Sequence, residues 1–221
     1  MSNEYDVSKQ NKVRQISEKA TYDKETVHSI LDSALMAHVG FVQNGQPVVV
    51  PMLLGREGET LFLHGARKAR IIRLLEETKT ACINVTHIDA LVIARSAFHS
   101  SMNYRSVTIF GTPRLIDSED EKLHALRVIT DSTLPGRWDE VRAPHENEVK
   151  MTGVIAVDIE SASAKISAKK APEDDEEDYA IPVWAGLLPL QSTLTELQAD
   201  DRVHDGVEAS DALKQLQGKR L

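Results

Sequence analysis

From Met36 onward the apolar positions of the chain fall into short runs separated by turn signals, the mark of β-strands. The run MAHVGFVQ meets QPVVVPMLL across Asn44-Gly45, a pair that supplies the positive φ angles of a tight type I′ turn and so predicts a hairpin. A second turn over Arg56–Glu59 leads into LFLH. Three strands in such close succession predict an antiparallel meander, not the parallel sheet of a doubly wound nucleotide-binding fold. TACINVTH and ALVIAR are two more β-rich runs, and YRSVTIFGTPRLI is a long strand in which Gly111 permits a bend or bulge. GVIAVDIESASAKIS, from Gly153, reads as one further strand.

Helical spacing interrupts this pattern. Over Lys24–Ser33, Val27, Ile30 and Leu31 share a face with Ala34, and Asp23 is placed to cap the helix. Ser118-Glu-Asp-Glu opens another, with Leu123, Leu126, Val128 and Ile129 at its apolar positions. Between them, LFLHGARKARIIRLL runs from a strand through a His-Gly-Ala turn into a helix. Six or seven mostly antiparallel strands with a few helices between them predict a mainly β fold, a small β-barrel with peripheral helices.

Composition adds limits. With 221 residues, 41% of them hydrophobic, the chain is of ordinary globular make-up. A formal net charge of −8 argues against general attraction to nucleic acid or an anionic membrane. Cys82 is the only cysteine, which excludes an intrachain disulfide and inclines the expected location to the cytoplasm. The polar N-terminus lacks a signal peptide's apolar core, and no window approaches the apolar length that spans a bilayer. Six consecutive acids, Glu173–Asp178, are expected to be solvated and mobile. The expected organisation is therefore an N-terminal arm (1–22), the barrel (23–168), an acidic linker (169–180) and a C-terminal segment (181–221) that packs on the barrel or on a partner subunit.

The charge order of LFLHGARKARIIRLL is unusual. Arg67, Lys68, Arg70 and Arg73 crowd the helix start, where partial positive charge disfavours cations by roughly 0.3–1 kcal/mol each. Glu76 and Glu77 come only at the far end, whereas the helix after Ser118 carries its acids first. A helix start offers N–H donors to an anion, arginine grips phosphate in two places, and Gly65 lets backbone approach closely, so the pattern suits a phosphate. A solvated basic face is the alternative. His64, His87, His99, Cys82 and Asp89 lack the paired spacing of a metal set, and no metal is expected. Hydrolase, nucleotidase and metalloprotease motifs are absent. Cys82 lies in an apolar strand and is read as core. Trp184, in PVWAGLLPL, must bury itself on the barrel, on a flat ligand or on a second subunit.

Taken in order, VVVPMLL, LFLHGARKARIIRLL, NYRSVTIFGTPRLI with its acidic helix, and PVWAGLLPL resemble the FMN-binding split-barrel family related to pyridoxamine 5′-phosphate oxidase. The likeness runs from about Val13 to Leu190. It implies a six- to seven-stranded antiparallel split barrel and a homodimer with FMN in two symmetric sites at the subunit interface. It also implies that Val50, Pro51, Met52 and Leu53 run beside the isoalloxazine ring, and that His64 and Gly65 meet the flavin. Arg67 and Lys68 match the pair on the FMN phosphate, Ser106 with Arg105 reaches the flavin from the neighbouring strand, and Trp184 reaches it from the partner subunit. The oxidases themselves follow that tryptophan with an arginine- and histidine-containing segment for the substrate phosphate. Here AGLLPLQS follows, which points away from vitamin B6 oxidation and towards the flavin-binding branch that includes nitroimidazole-resistance-like proteins.

The implied activity is that of an FMN-dependent oxidoreductase passing electrons from a reduced small-molecule donor to a small acceptor. His64 or His99 is the candidate proton donor. A non-catalytic flavin store, carrier or redox-sensing module is the alternative, since no acid/base constellation is visible. Another flavin, a deazaflavin or haem in place of FMN is a third reading.

Overall fold

The computed structural model describes residues 2–221. In chain order its elements are β1 (Ala20–Thr21), α1 (Lys24–Asp32), β2 (Met36–Gln43), β3 (Gln46–Leu53), β4 (Gly55–Glu57), β5 (Thr60–Ala66), α2 (Arg70–Thr78), β6 (Ala81–Ile93), β7 (Ser101–Gly111), β8 (Pro113–Leu115), α3 (Glu119–Thr133), α4 (Arg137–Glu140), α5 (Glu146–Met151), β9 (Thr152–Asp158), β10 (Ser161–Ser167), β11 (Gly186–Pro189) and α6 (Asp211–Lys214). Seven strands belong to one sheet and four to another, in a mainly β fold of split-barrel type. Among the described residues, no helix is long and apolar enough to cross a membrane.

The chain forms two compact units, each assembled from three separate stretches. One comprises Met1–Leu31, Asn84–Ile109 and Ser161–Gln191. Here β1 pairs with β10 and β11 pairs with β6, both antiparallel. α1 buries Val27, Ile30 and Leu31, and the Asp23 carboxylate accepts from the Thr26 N–H and hydroxyl, each at 2.7 Å, as its capping position requires. The buried Asn11 amide donates to the carbonyls of Asp6 and Ala162, 3.0 Å each, tying the N-terminal stretch to β10. The acidic stretch expected to be free is fastened instead. Asp174, its side chain fully covered, accepts from the N–H and guanidinium of Arg95, and Lys169 pairs with Glu173 at 2.9 Å. Asn103 exchanges two hydrogen bonds with the Lys169 backbone. Arg95, supplied by the loop after β6 and out of sight in the local sequence, together with the nearby Lys169 accounts for the difference.

The second unit comprises Asp32–Ile83, Phe110–Glu160 and Ser192–Leu221. β2 and β3 form the expected hairpin, with Asn44 and Gly45 at φ 51° and 76°. Gln43 and Gln46 face each other across this two-residue turn, so alternation along the ladder puts Pro47 and Pro51 at non-hydrogen-bonded positions. Their missing N–H groups would have faced away from β2, which suits the outermost strand of its sheet. β4 and β5 form a second hairpin, and β9 pairs with both β5 and β8. α3 is capped by Ser118 and packs Ala125 and Ile129 against Phe62, Ile116, Val154 and Ala156.

Four strand expectations change. YRSVTIFGTPRLI is not one long strand but two, β7 and β8, in different sheets. The meander breaks after β3, because β5 pairs with β4 and β9 rather than with β3. The switch occurs at Gly55, where a Cβ would lie 2.8 Å from the Ile129 Cα, so only glycine lets α3 sit there. TACINVTH and ALVIAR are one continuous strand, β6. GVIAVDIESASAKIS is two strands, parted where the Ile159 and Glu160 N–H groups turn to the carbonyls of Glu59 and Phe110.

Gly111 ends β7 as a bend, and its reason is steric: a Cβ there would lie 2.1 Å from the Asp158 carbonyl oxygen. Gly111→Ala is expected to destabilise the fold by about 3 kcal/mol, the upper range for overpacking. Urea denaturation checks this, and a midpoint equal to that of the parent would refute it.

Candidate functional site

Helix α2 starts at Arg70, later than the sequence pattern suggests. β5 stays extended through Ala66, the Arg67 N–H donates to the Met151 carbonyl at 2.7 Å, and the Ala69 N–H donates to Ala66 at 2.7 Å. Arg67 and Lys68 therefore occupy the turn before the helix, Arg70 is its first residue and Arg73 lies one turn along. Ala69 stands at the N-cap with extended backbone and offers no side-chain hydrogen bond, and the first turn contains no acid. The opening N–H groups of α2 are thus left to solvent or an anion, with basic side chains around them. α3 shows the opposite arrangement, with a Ser118 cap and Glu119, Asp120 and Glu121 in its first turn. Arg67 reaches Glu76 at 3.5 Å, but both side chains are more than a third exposed. Such a pair contributes about 0–1 kcal/mol and leaves the guanidinium available.

Two glycines fix where this helix start sits. Gly65 on β5 faces Gly153 on β9. A Cβ on Gly153 would lie 2.7 Å from Ile72 Cγ2 and 3.2 Å from Arg67 Cα, and one on Gly65 would touch Ile72 at 3.5 Å. Ile72, fully buried, therefore presses α2 into the space that two side chains would fill. The sequence reading found Gly65. It missed Gly153, which looks like an ordinary strand start until β9 lies beside β5.

His64, next to Gly65, faces Val154 across the ladder. Its Nδ1 is buried without a hydrogen-bond partner, and burial pushes the imidazole pKa down. The ring is therefore held neutral at neutral pH. Val50–Leu53 form the second half of β3, with Met52 buried against the fold and Leu53 exposed. These residues and His64, Gly65, Arg67 and Lys68 all belong to the second unit.

Arg105, Ser106, Trp184 and His99 belong to the first unit. Arg105 is gripped by Asp89, donating from Nε at 3.1 and 3.2 Å and from Nη2 at 2.9 Å. Ser106 follows it on β7, half-buried. Trp184, 69% exposed, lays its ring over Gly186, where a Cβ would lie 2.9 Å from two ring carbons. His99 sits beside Asp175, Nε2 to Oδ2 3.3 Å. Asp89 had been considered only as a metal ligand; its place as the anchor of Arg105 emerges from the pairing of β6 with β7. Cys82 is half-buried, and burial pushes its thiol pKa up, consistent with an unreactive side chain.

The model of a family described as pyridoxamine 5′-phosphate oxidase matches residues 23–166. This chain belongs to that family. Among solved structures, the flavocytochrome Anf3 from Azotobacter vinelandii is 37% identical, with a TM-score of 0.89 over 95% of this chain and 97% of that one. The FAD and haem binding protein from Mycobacterium smegmatis is 35% identical, with a TM-score of 0.86 over 90% of this chain and 98% of that one. A putative 5-nitroimidazole antibiotic resistance protein from Bacteroides thetaiotaomicron is 26% identical, with a TM-score of 0.58 over 66% of this chain and 86% of that one. No curated protein matches the sequence.

The pKa of His64 gives a pH signature. Because burial lowers the folded-state value, the unfolded chain takes up this proton first as pH falls. The contribution is full above the unfolded value of about 6.5 and is lost as pH falls through the folded value. The urea midpoint of the parent is expected to approach that of His64→Gln between about pH 8 and about pH 5, and a constant difference would exclude the effect.

Proposed function

We propose that the protein is a flavin-dependent oxidoreductase that holds the phosphate end of its flavin nucleotide at the start of α2. The observation that carries this reading is the uncapped, acid-free first turn of α2, seated on Gly65 and Gly153 with Arg67 and Lys68 beside it. The flavin, when bound, supplies hydride and electron transfer between a reduced donor and a small acceptor; the chain supplies anchoring, orientation and exclusion of water. Arg67 and Lys68 neutralise the phosphate. The Val50–Leu53 backbone and His64 with Gly65 border the ring, and the family resemblance adds Ser106 with Arg105, and Trp184 from a second copy in a homodimer, as further flavin contacts. Exposed Val49, Leu53, Trp184 and Leu188 supply apolar surface for such a pairing. His64, neutral through burial, is suited to donate a hydrogen bond beside the acceptor.

FMN is the form that the resemblance implies, and the Mycobacterium smegmatis relative favours FAD. Both carry a phosphate on the ribityl chain for the same anchor. A haem in addition to the flavin is a second reading, favoured by two relatives that share 90% or more of this chain and are named for both groups. In that case His64, with its neutral ring and its buried Nδ1 free of any hydrogen bond, is the side chain that would hold the iron.

The test is direct. Purified protein is expected to be yellow and to release a flavin on denaturation, which chromatography identifies as FMN or FAD; a Soret band would add haem. Arg67→Ala with Lys68→Ala is expected to weaken flavin binding by a few kcal/mol, at about 1.5–3 kcal/mol for each hydrogen bond to a charged group, with apoprotein stability equal or higher. Unchanged affinity in the folded double variant would overturn the anchor. Anaerobic reduction by NAD(P)H and reoxidation by quinones, nitro compounds or oxygen, each faster than with free flavin, would establish turnover, and no acceleration would mark a binding module.

A further inference from the structure

The loop between β6 and β7 and the acidic stretch before Trp184 meet at a constellation that the flavin reading does not use. We propose that His99, Asp175 and Asp178 form a binding site for one divalent transition-metal ion of the zinc class. One ligand atom from each lies within 4.8 Å of the other two. Tetrahedral ligands at about 2.0–2.2 Å from a zinc-like ion stand about 3.4 Å apart, so the exposed carboxylates would close in by up to about 1.4 Å around the ion, with water as the fourth ligand.

Local structure aligns the donors. A 3-10 turn over Glu176–Ala180 has Asp175 at its N-cap, and the Asp178 N–H donates to the Asp175 carbonyl at 2.9 Å. Three residues per turn place side chains at i and i+3 in line, so both carboxylates face His99. The Nε2 of His99 is buried and makes no hydrogen bond; Asp175 Oδ2 stands 3.3 Å away, within ion-pair distance but out of hydrogen-bond alignment. The basic neighbours are engaged elsewhere, Lys169 with Glu173 and Arg95 with Asp174. Arg95 also covers the Tyr179 ring, its guanidinium carbon 4.8 Å from the centroid. Among the described residues no hydrogen bond or ion pair reaches the Asp178 carboxylate. An imidazole nitrogen beside two carboxylates favours zinc, manganese or iron(II) over magnesium and calcium, which prefer oxygen alone. A bound ion would tie the β6–β7 loop to the segment that carries Trp184.

The experiment uses the full chain without an affinity tag, stripped with a chelator and titrated with Zn2+ by calorimetry. Uptake of one ion per chain is expected, reduced at least about tenfold in His99→Gln and in Asp178→Asn, with a thermal midpoint that rises on Zn2+ addition only in the parent. Circular dichroism verifies folding, and Asp175→Asn, at a carboxylate 72% exposed, serves if either variant unfolds. No uptake, equal uptake in the variants, or equally tight binding of Mg2+ would overturn the proposal and leave only a diffuse acidic run. Flavin content is a separate readout, so failure here does not touch the flavin anchor.

Discussion

The seating of Ile72 on the Gly65–Gly153 pair is the contact on which the proposed site depends. It removes two side chains from facing strands and fills their place with one aliphatic group from the helix. This brings the start of α2 to the end of β5 while the Arg67 N–H is tied to Met151. A helix end held so close by packing does not need to be electrostatically comfortable. Packing supplies the stability, and the uncapped N–H groups and crowded cations become a local frustration that the proposed phosphate would relieve. α3 in the same unit, capped by Ser118 and led by acids, shows that this chain also builds an ordinary helix start.

What was legible in the sequence was what depends on near neighbours. The Asn44-Gly45 hairpin, the Asp23 and Ser118 caps and the inverted charge of LFLHGARKARIIRLL are consequences of residues a few positions apart, and each is present in the fold. What was illegible depends on distant partners. That β5 leaves β3 for β9 rests on Gly55 meeting α3, more than seventy residues later in the chain. Gly153, Asp89 beneath Arg105, and His99 beside Asp175 and Asp178 are likewise products of topology. A motif scan looks for donors at fixed short spacing and passes over all three.

Family membership and local chemistry carry different loads. The family model accounts for residues 23–166, whereas the likeness to the Azotobacter vinelandii flavocytochrome covers 95% of this chain and so reaches beyond those residues. Those outer stretches are ordered here by specific bonds, Asn11 to Ala162 and Asn103 to Lys169 among them.

Pro47 and Pro51 give β3 a property beyond its own ladder. An exposed strand edge is ordinarily a template on which another chain can continue the sheet, and here two of its donors are missing. A neighbouring strand cannot form an unbroken ladder along this edge, because the donors at Pro47 and Pro51 are missing. The exposed Val49 and Leu53 can then form a selective contact without the edge also recruiting strands indiscriminately.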